Sequence, residues 1–235
     1  VLLDAGNTLL SIDFAWVAEE IAARGVPCTP ESLRRAEAAA RPAVSELVAR
    51  RRRTEGHDAF VHYLIQVLER LEGASLPPVG ERQALAPELA SVLRRRGSRR
   101  LWSRVIPGVP EALVDLRSLG LHLAVVSNSD GTVEEVLKGL GLRGHFDAVL
   151  DSHLVGSEKP DPGIFRQALQ RLGAPGERAL HVGDLYAADV LGARAAGVHA
   201  LLLDPFGDWE AAAAVDCERL PDLRAVAECA RRARA

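Results

Sequence analysis

From Pro107-Gly108 to the C-terminus the apolar residues keep changing period, from helix-like to strand-like and back, and this alternation constrains the fold more than any other feature of the chain. Helices are expected over 109–120, 131–141, 162–172, 187–196 and near 221–232. Strands are expected over Leu121–Ser127, Ala148–Leu150, Ala179–Val182 and His199–Leu203. Repeated βα units of this length build a parallel sheet covered by helices on both faces. A short apolar run, Val1-Leu2-Leu3, belongs with these strands and stops at the turn-forming Gly6-Asn7.

Between them the rhythm is helical. Phe14, Val17, Ala18 and Ile21 recur at helical spacing, Thr29 is placed to cap a second helix opening at Pro30-Glu31, and Phe60, Tyr63, Leu64, Val67 and Leu68 line one face of a third. A further helix is expected from Glu81 to Arg96. The expectation is therefore an α/β fold, a doubly wound parallel sheet formed by residues 1–12 and 104–235, with an all-helical domain of residues 13–103 inserted after the first strand.

Composition narrows the classes. With 48% hydrophobic and 26% charged residues the chain suits an ordinary globular core, and its formal net charge of −3 gives no general attraction to nucleic acid or anionic membranes. No apolar stretch reaches the roughly 20 residues of a membrane span, and no basic-then-apolar leader opens the sequence, so a cytoplasmic protein is expected. Val1 already lies in a strand and the sequence has no methionine, so missing N-terminal residues are expected. Cys28, Cys217 and Cys229 are too few and too scattered for a disulfide or zinc framework, and the seven histidines show no zinc spacing. The arginine runs 50–53 and 94–100 read as solvated faces of the helical insert. Trp102 is expected at the domain junction and Trp209 under the C-terminal helix.

In a doubly wound sheet ligands bind beyond the carboxyl ends of the strands. Those ends carry Asp4, Ser127-Asn128 and Gly183-Asp184, and Lys159 in Glu158-Lys-Pro-Asp-Pro162 can reach the same edge. Lys159 is one of only two lysines, the other being Lys138, against 27 arginines. Two carboxylates, a hydroxyl and an ammonium converging at one edge suit magnesium and phosphate. Asp189 has two readings, as a further carboxylate of that site or as a cap for a helix beginning near Ala188. Ser127-Asn128 also reads as a plain strand-to-helix turn.

The segments Val1-Leu-Leu-Asp-Ala-Gly-Asn-Thr-Leu9, Ala124-Val-Val-Ser-Asn128, Glu158-Lys-Pro-Asp-Pro-Gly-Ile-Phe165 and Val182-Gly-Asp-Leu-Tyr-Ala-Ala-Asp189, in this order, resemble the four motifs of the haloacid dehalogenase superfamily, in the branch with a helical, C1-type cap. The resemblance implies a Rossmann-like core and a phosphatase acting on a small phosphorylated molecule. It makes Asp4 the nucleophile, Lys159 its cationic partner in catalysis and phosphate binding, and Ser127 and the Asn128 backbone the remaining phosphate contacts. Asp4, the Gly6 carbonyl, Asp184 and Asp189 would hold Mg²⁺, while a helical cap over 13–103 would choose the substrate.

One departure from the family pattern matters. Gly6 stands where phosphatases of this superfamily usually carry a second aspartate, the general acid, whose proton transfer contributes about 10²–10⁴-fold. Slow turnover, or a bias to good leaving groups, is expected, and Gly6→Asp would raise turnover if the new carboxylate reached the leaving oxygen. A phosphonate hydrolase using a cap lysine is excluded, since 13–103 contains none. A metal-free haloacid dehalogenase fits poorly with paired acids at Asp184 and Asp189. The reading from a different class is a non-catalytic binder of a phosphorylated ligand or a protein.

Overall fold

The computed structural model describes residues 1–51, 56–95, 98–210 and 215–232. After β1 (Leu2–Leu3) and β2 (Leu10–Ser11) come six helices: α1 (Phe14–Ala22), α2 (Pro30–Arg51), α3 (His57–Glu69), α4 (Val79–Ala84), α5 (Ala86–Arg95) and α6 (Ser98–Leu101). Next are β3 (Arg104–Val105), α7 (Val109–Ser118), β4 (Ala124–Ser127), α8 (Val133–Gly139), β5 (Ala148–Asp151), α9 (Ser152–Val155) and α10 (Pro162–Leu172). The chain closes with β6 (Leu180–Gly183), α11 (Gly192–Ala195), β7 (His199–Leu203), β8 (Arg219–Leu220) and α12 (Leu223–Arg232).

Six strands form one parallel sheet in the order β5-β4-β1-β6-β7-β8. This is the doubly wound α/β sheet expected from the alternation. The first strand lies inside the sheet, flanked by β4 and β6, so the direction of winding reverses around it and leaves a crevice at the strand ends. Alternate residues serve opposite faces. Leu3, Val125, Val149 and Val182 pack with residues of α7, α8 and α12, whereas Leu2, Ala124, Val126 and Leu150 pack with Ile164, Phe165, Ala168 and Ala193 from α10 and α11.

The helices between β2 and β3 bury a cluster of their own, including Trp16, Ile21, Leu33, Leu64, Leu68, Leu89 and Leu93. Thr29 caps α2 as expected: its hydroxyl accepts from the Ser32 amide at 3.1 Å, and the Ser32 hydroxyl accepts from the Thr29 amide at 3.0 Å. Where the chain leaves and re-enters the sheet region, β2 pairs antiparallel with β3, and Arg104 Nη2 donates to Asp13 Oδ2 at 2.8 Å. The same Asp13 caps α1 through the Trp16 amide.

Several expectations change in detail. The single helix expected over 81–96 is two, α4 and α5, because Pro87 lacks an amide hydrogen and suits the first turn of a new helix; Arg96 lies outside the described residues. The helix expected over 187–196 opens as a π-helical turn, Tyr186–Leu191, and becomes α-helical only at Gly192. Trp209 packs with Val190 and Leu202, not under α12, whose buried residues join the other sheet face. Of the two arginine runs, Arg52, Arg53 and Arg96 lie outside the described residues, Arg50 is exposed, and Arg100 covers the Trp16 ring at 4.4 Å from its centroid. No helix among the described residues is long and apolar enough to cross a membrane.

Candidate active site at the strand ends

The sheet topology brings every candidate residue to one place. Asp4, Gly6, Ser127, Asn128, Lys159, Asp184 and Asp189 all line a cavity of about 730 Å³ at the carboxyl ends of β1, β4 and β6. Carboxylate oxygens of Asp4, Asp184 and Asp189 lie within 4.8 Å of one another. Lys159 Nζ, on a side chain 3% exposed, sits between two of them, 2.7 Å from Asp4 Oδ1 and 2.6 Å from Asp189 Oδ1.

Each group is held by its own local device. The Asn128 side chain clamps the Lys159 backbone, donating to its carbonyl at 2.8 Å and accepting from its amide at 2.7 Å, which ties the lysine loop to the end of β4. Asp189 Oδ2 accepts from the Leu185 amide at 2.9 Å while Oδ1 also meets His181 Nε2 at 2.9 Å, so the π-helical turn folds its carboxylate back beneath Gly183. A Cβ on Gly183 would occupy the space of the Asp189 carboxyl group, which is why glycine precedes Asp184. Ser127 is buried, with its hydroxyl 3.3 Å from the Asn128 carbonyl.

Burial dominates the electrostatics. It pushes the Asp4 carboxyl above the ordinary carboxylate range against the pull of Lys159, and pushes Asp184 up to about 8. Asp189 is buried too, but Lys159 and His181 together hold it below that range. Lys159 remains an ammonium: burial opposes its charge, and Asp189 and Asp4 more than restore it.

The helical insert reaches into the same site, and the sequence reading missed this. From α2, Glu37 and Arg41 form a buried pair, Nη2 to Oε2 at 2.8 Å, and Arg41 Nε lies 3.4 Å from Asp184 Oδ2. Asn7 Nδ2 donates to both Glu37 Oε1 at 2.8 Å and Asp184 Oδ2 at 3.0 Å. Tyr63 of α3 also lines the cavity; burial first, then Glu37, pushes its phenol up, so it stays a neutral hydroxyl. Further along α2, Ser45 Oγ accepts from the Ala187 amide at 2.8 Å and Val48 packs on Ala187 and Ala188. A Glu and an Arg four apart on a helix read as an exposed pair from sequence alone. The one signal in the sequence is their setting among Ala36, Ala38, Ala39 and Ala40, an apolar stretch too small-sided for a solvated face.

Above Gly6 the structure places an aromatic ring. A Cβ there would lie 3.3 Å from Trp102 Cζ3 and 3.4 Å from Cη2. Trp102 is thus at the junction, as expected, and its ring edge crowds the space that the side chain of Gly6→Asp would enter.

Four carboxylates (Asp4, Glu37, Asp184, Asp189) face two cations (Arg41, Lys159), a formal excess of two negative charges in a buried site. The groups gathered to ligate a cation there, Asp4, Asp184 and Asp189, all offer oxygen. A hard divalent cation fits both facts.

The comparisons agree with this architecture. The family of haloacid dehalogenase-like hydrolases matches residues 1–197. The chain is 45% identical over 128 residues to mouse haloacid dehalogenase-like hydrolase domain-containing protein 3, covering 54% of this chain and 51% of that one, so it spans about half the length of this curated relative. It is 38% identical over 193 residues to a phosphoserine phosphatase of Thermus thermophilus, covering 80% of this chain and 73% of the relative. The fold superposes on the crystal structure of a 2-haloacid dehalogenase from Pseudomonas syringae with a TM-score of 0.57 at 26% identity, covering 98% of this chain and 97% of that one. The chain belongs to the haloacid dehalogenase-like hydrolases.

Proposed function

We propose that this hydrolase is a magnesium-dependent phosphatase of small phosphorylated molecules, with Asp4 as nucleophile and the α1–α6 segment, residues 13–103, as a cap. The observation that carries the proposal is Lys159 Nζ between Asp4 and Asp189, with Asp184 completing a three-carboxylate cluster. Such a cluster has no use in a metal-free dehalogenase, and a pure binder needs no nucleophile beside it. The Thermus thermophilus relative, named a phosphoserine phosphatase, supports the same reaction class.

Asp4, Asp184, Asp189 and the Gly6 backbone would hold Mg²⁺, which when bound would screen the charge repulsion between carboxylate and phosphate. The free Asp4 oxygen attacks phosphorus in line, forming an O–P bond as the bond to the leaving oxygen breaks. Lys159, fixed by the Asn128 clamp, balances charge on the transferring oxygens, and the buried Ser127 hydroxyl and Asn128 backbone offer hydrogen bonds to them. Water then cleaves the aspartyl-phosphate. With glycine at position 6, no carboxylic acid attends the leaving oxygen from that position. Turnover of alkyl phosphates is expected to be about 10²–10⁴-fold below that of a phosphatase with the acid in place.

The test is hydrolysis of 4-nitrophenyl phosphate, whose phenolate departs without an acid. Release that needs Mg²⁺, stops with a chelator and falls by at least about 10³-fold in Asp4→Asn is the expected result. Equal release by Asp4→Asn would overturn the proposal.

A further inference from the structure

Arg41 is a cation with one edge left over. Its side chain is 9% exposed, and Nε and Nη2 are spent on Glu37 and the neighbouring Asp184, yet Nη1 is buried without a hydrogen-bond partner. Buried guanidinium N–H groups are normally satisfied, and an orphan at the wall of a cavity points to an acceptor that arrives with the ligand. Burial opposes its charge, but Glu37 and Asp184 more than sustain it.

The position of this edge defines what the acceptor belongs to. Arg41 comes from α2, facing the strand ends, whereas the phosphoryl position lies among Asp4, Lys159 and Ser127 from the sheet. A substrate seated with its phosphoryl group at Asp4 extends its leaving group toward the helices. An unused N–H on a permanent cation makes a charge-assisted bond, which favours an anionic acceptor such as a carboxylate over a neutral hydroxyl. Glu37, itself fixed by the Asn7 side-chain amide, accepts from Nε and Nη2 and prevents the arginine side chain from turning away.

Building on the phosphatase reading above, we infer that Arg41 sets specificity by binding a carboxylate on the leaving group, so that the substrate class is phosphate esters of small hydroxy acids. The charge-assisted pair is worth about 10- to 100-fold in discrimination.

Two measurements test this. The first is the ratio of kcat/KM for phosphoglycolate to that for ethyl phosphate, which share a frame and differ in the carboxylate. It is expected at about 10–100 in the wild type and to collapse toward one in Arg41→Lys and Arg41→Gln, mainly through KM. A wild-type ratio near one, or a ratio unchanged in both variants, would overturn the inference. The second needs neither turnover nor a variant: calorimetry of the wild type with Mg²⁺ should show 3-phosphonopropionate binding about 10–100 times more tightly than propylphosphonate. Equal affinities would sink the inference. Preferential binding without hydrolysis of any ester would keep it and overturn the phosphatase reading instead.

Discussion

The lysine cluster at the sheet edge and the arginine cluster that α2 lowers onto it are both buried, but their polar groups are used to different extents. Around Lys159 the carboxylates are heavily engaged: Asp189 alone accepts from Lys159, His181 and the Leu185 amide, although the second ring nitrogen of His181, Nδ1, has no partner. Around Arg41, Nη1 has no partner and the side-chain oxygen of Asn7, Oδ1, is likewise unpaired. A carboxylate that accepts three bonds is fixed in place for chemistry, whereas an unpaired guanidinium N–H is open to what binds. On the function and the specificity proposed above, the contrast puts reaction at the strand ends and selection at the helices, and it can be tested on stability, on metal binding and on the packing that joins the two.

The largest expected effect is on stability. Lys159→Met leaves Asp4 and Asp189 facing each other without a cation, and breaking a buried pair in this way costs about 3–5 kcal/mol. Arg41→Met removes the cation beside Glu37 and Asp184, both of which keep the Asn7 amide, and should cost about 1–3 kcal/mol. Urea unfolding of the metal-free proteins measures both. Equal losses would mean that the two clusters carry the same structural weight and that the contrast in satisfaction has no energetic counterpart.

A smaller effect follows from Asp184, which both clusters share. Burial raises its folded-state pKa to about 8 against an ordinary 3.8, so between those values the folded, metal-free chain binds a proton that the unfolded chain has lost. With more protons bound to the folded state, stability from this group is full at the acid end and falls as pH rises toward 8. A divalent cation displaces the proton, so its competition with the proton eases as pH rises. The gain in Tm on adding Mg²⁺ should therefore grow from pH 5.5 to pH 8, and Asp184→Asn should flatten that growth. A gain independent of pH in the wild type would show that Asp184 is already ionised without metal.

How far the sequence could be read divides along the same line. The parallel sheet was legible because strand and helix announce themselves by period, and Asp4, Ser127, Lys159 and Asp184 stood out because each ends a strand or begins a helix at the edge where ligands bind. The π-helical turn at Tyr186–Leu191 was not, since nothing in Tyr-Ala-Ala-Asp-Val-Leu separates a wide turn from an α-helical one; the pull comes from Lys159 and His181, distant in sequence. His181 was read only as part of a strand, although a histidine in Ala-Leu-His-Val is a polar interruption that needs a buried partner. Glu37 and Arg41 were invisible for a different reason. Their spacing is that of an ordinary helical ion pair, and only the packing of α2 over the strand ends turns that pair inward.

The smallest expected effect concerns the seam between the two regions. Gly6 has an ordinary backbone conformation, so glycine is not required there by φ; what excludes a side chain is the edge of Trp102, 3.3 Å from where a Cβ would stand. That distance is short for a carbon contact but not prohibitive, and Trp102 is only partly buried, at the exit from α6, so the ring has room to give a few tenths of an ångström. Gly6→Ala should then cost about 1 kcal/mol, the low end for overpacking. Trp102→Leu removes the ring edge, and in that background the cost of Gly6→Ala should disappear, giving a coupling energy of at least about 0.5 kcal/mol in a double-mutant cycle. Additive losses would place the obstacle elsewhere, in the backbone around the Gly6–Leu10 bridge. Coupling would make Trp102, a residue of the helical segment's exit, the reason that the first motif carries glycine, and would tie the missing acid to the way the helices seat on the sheet.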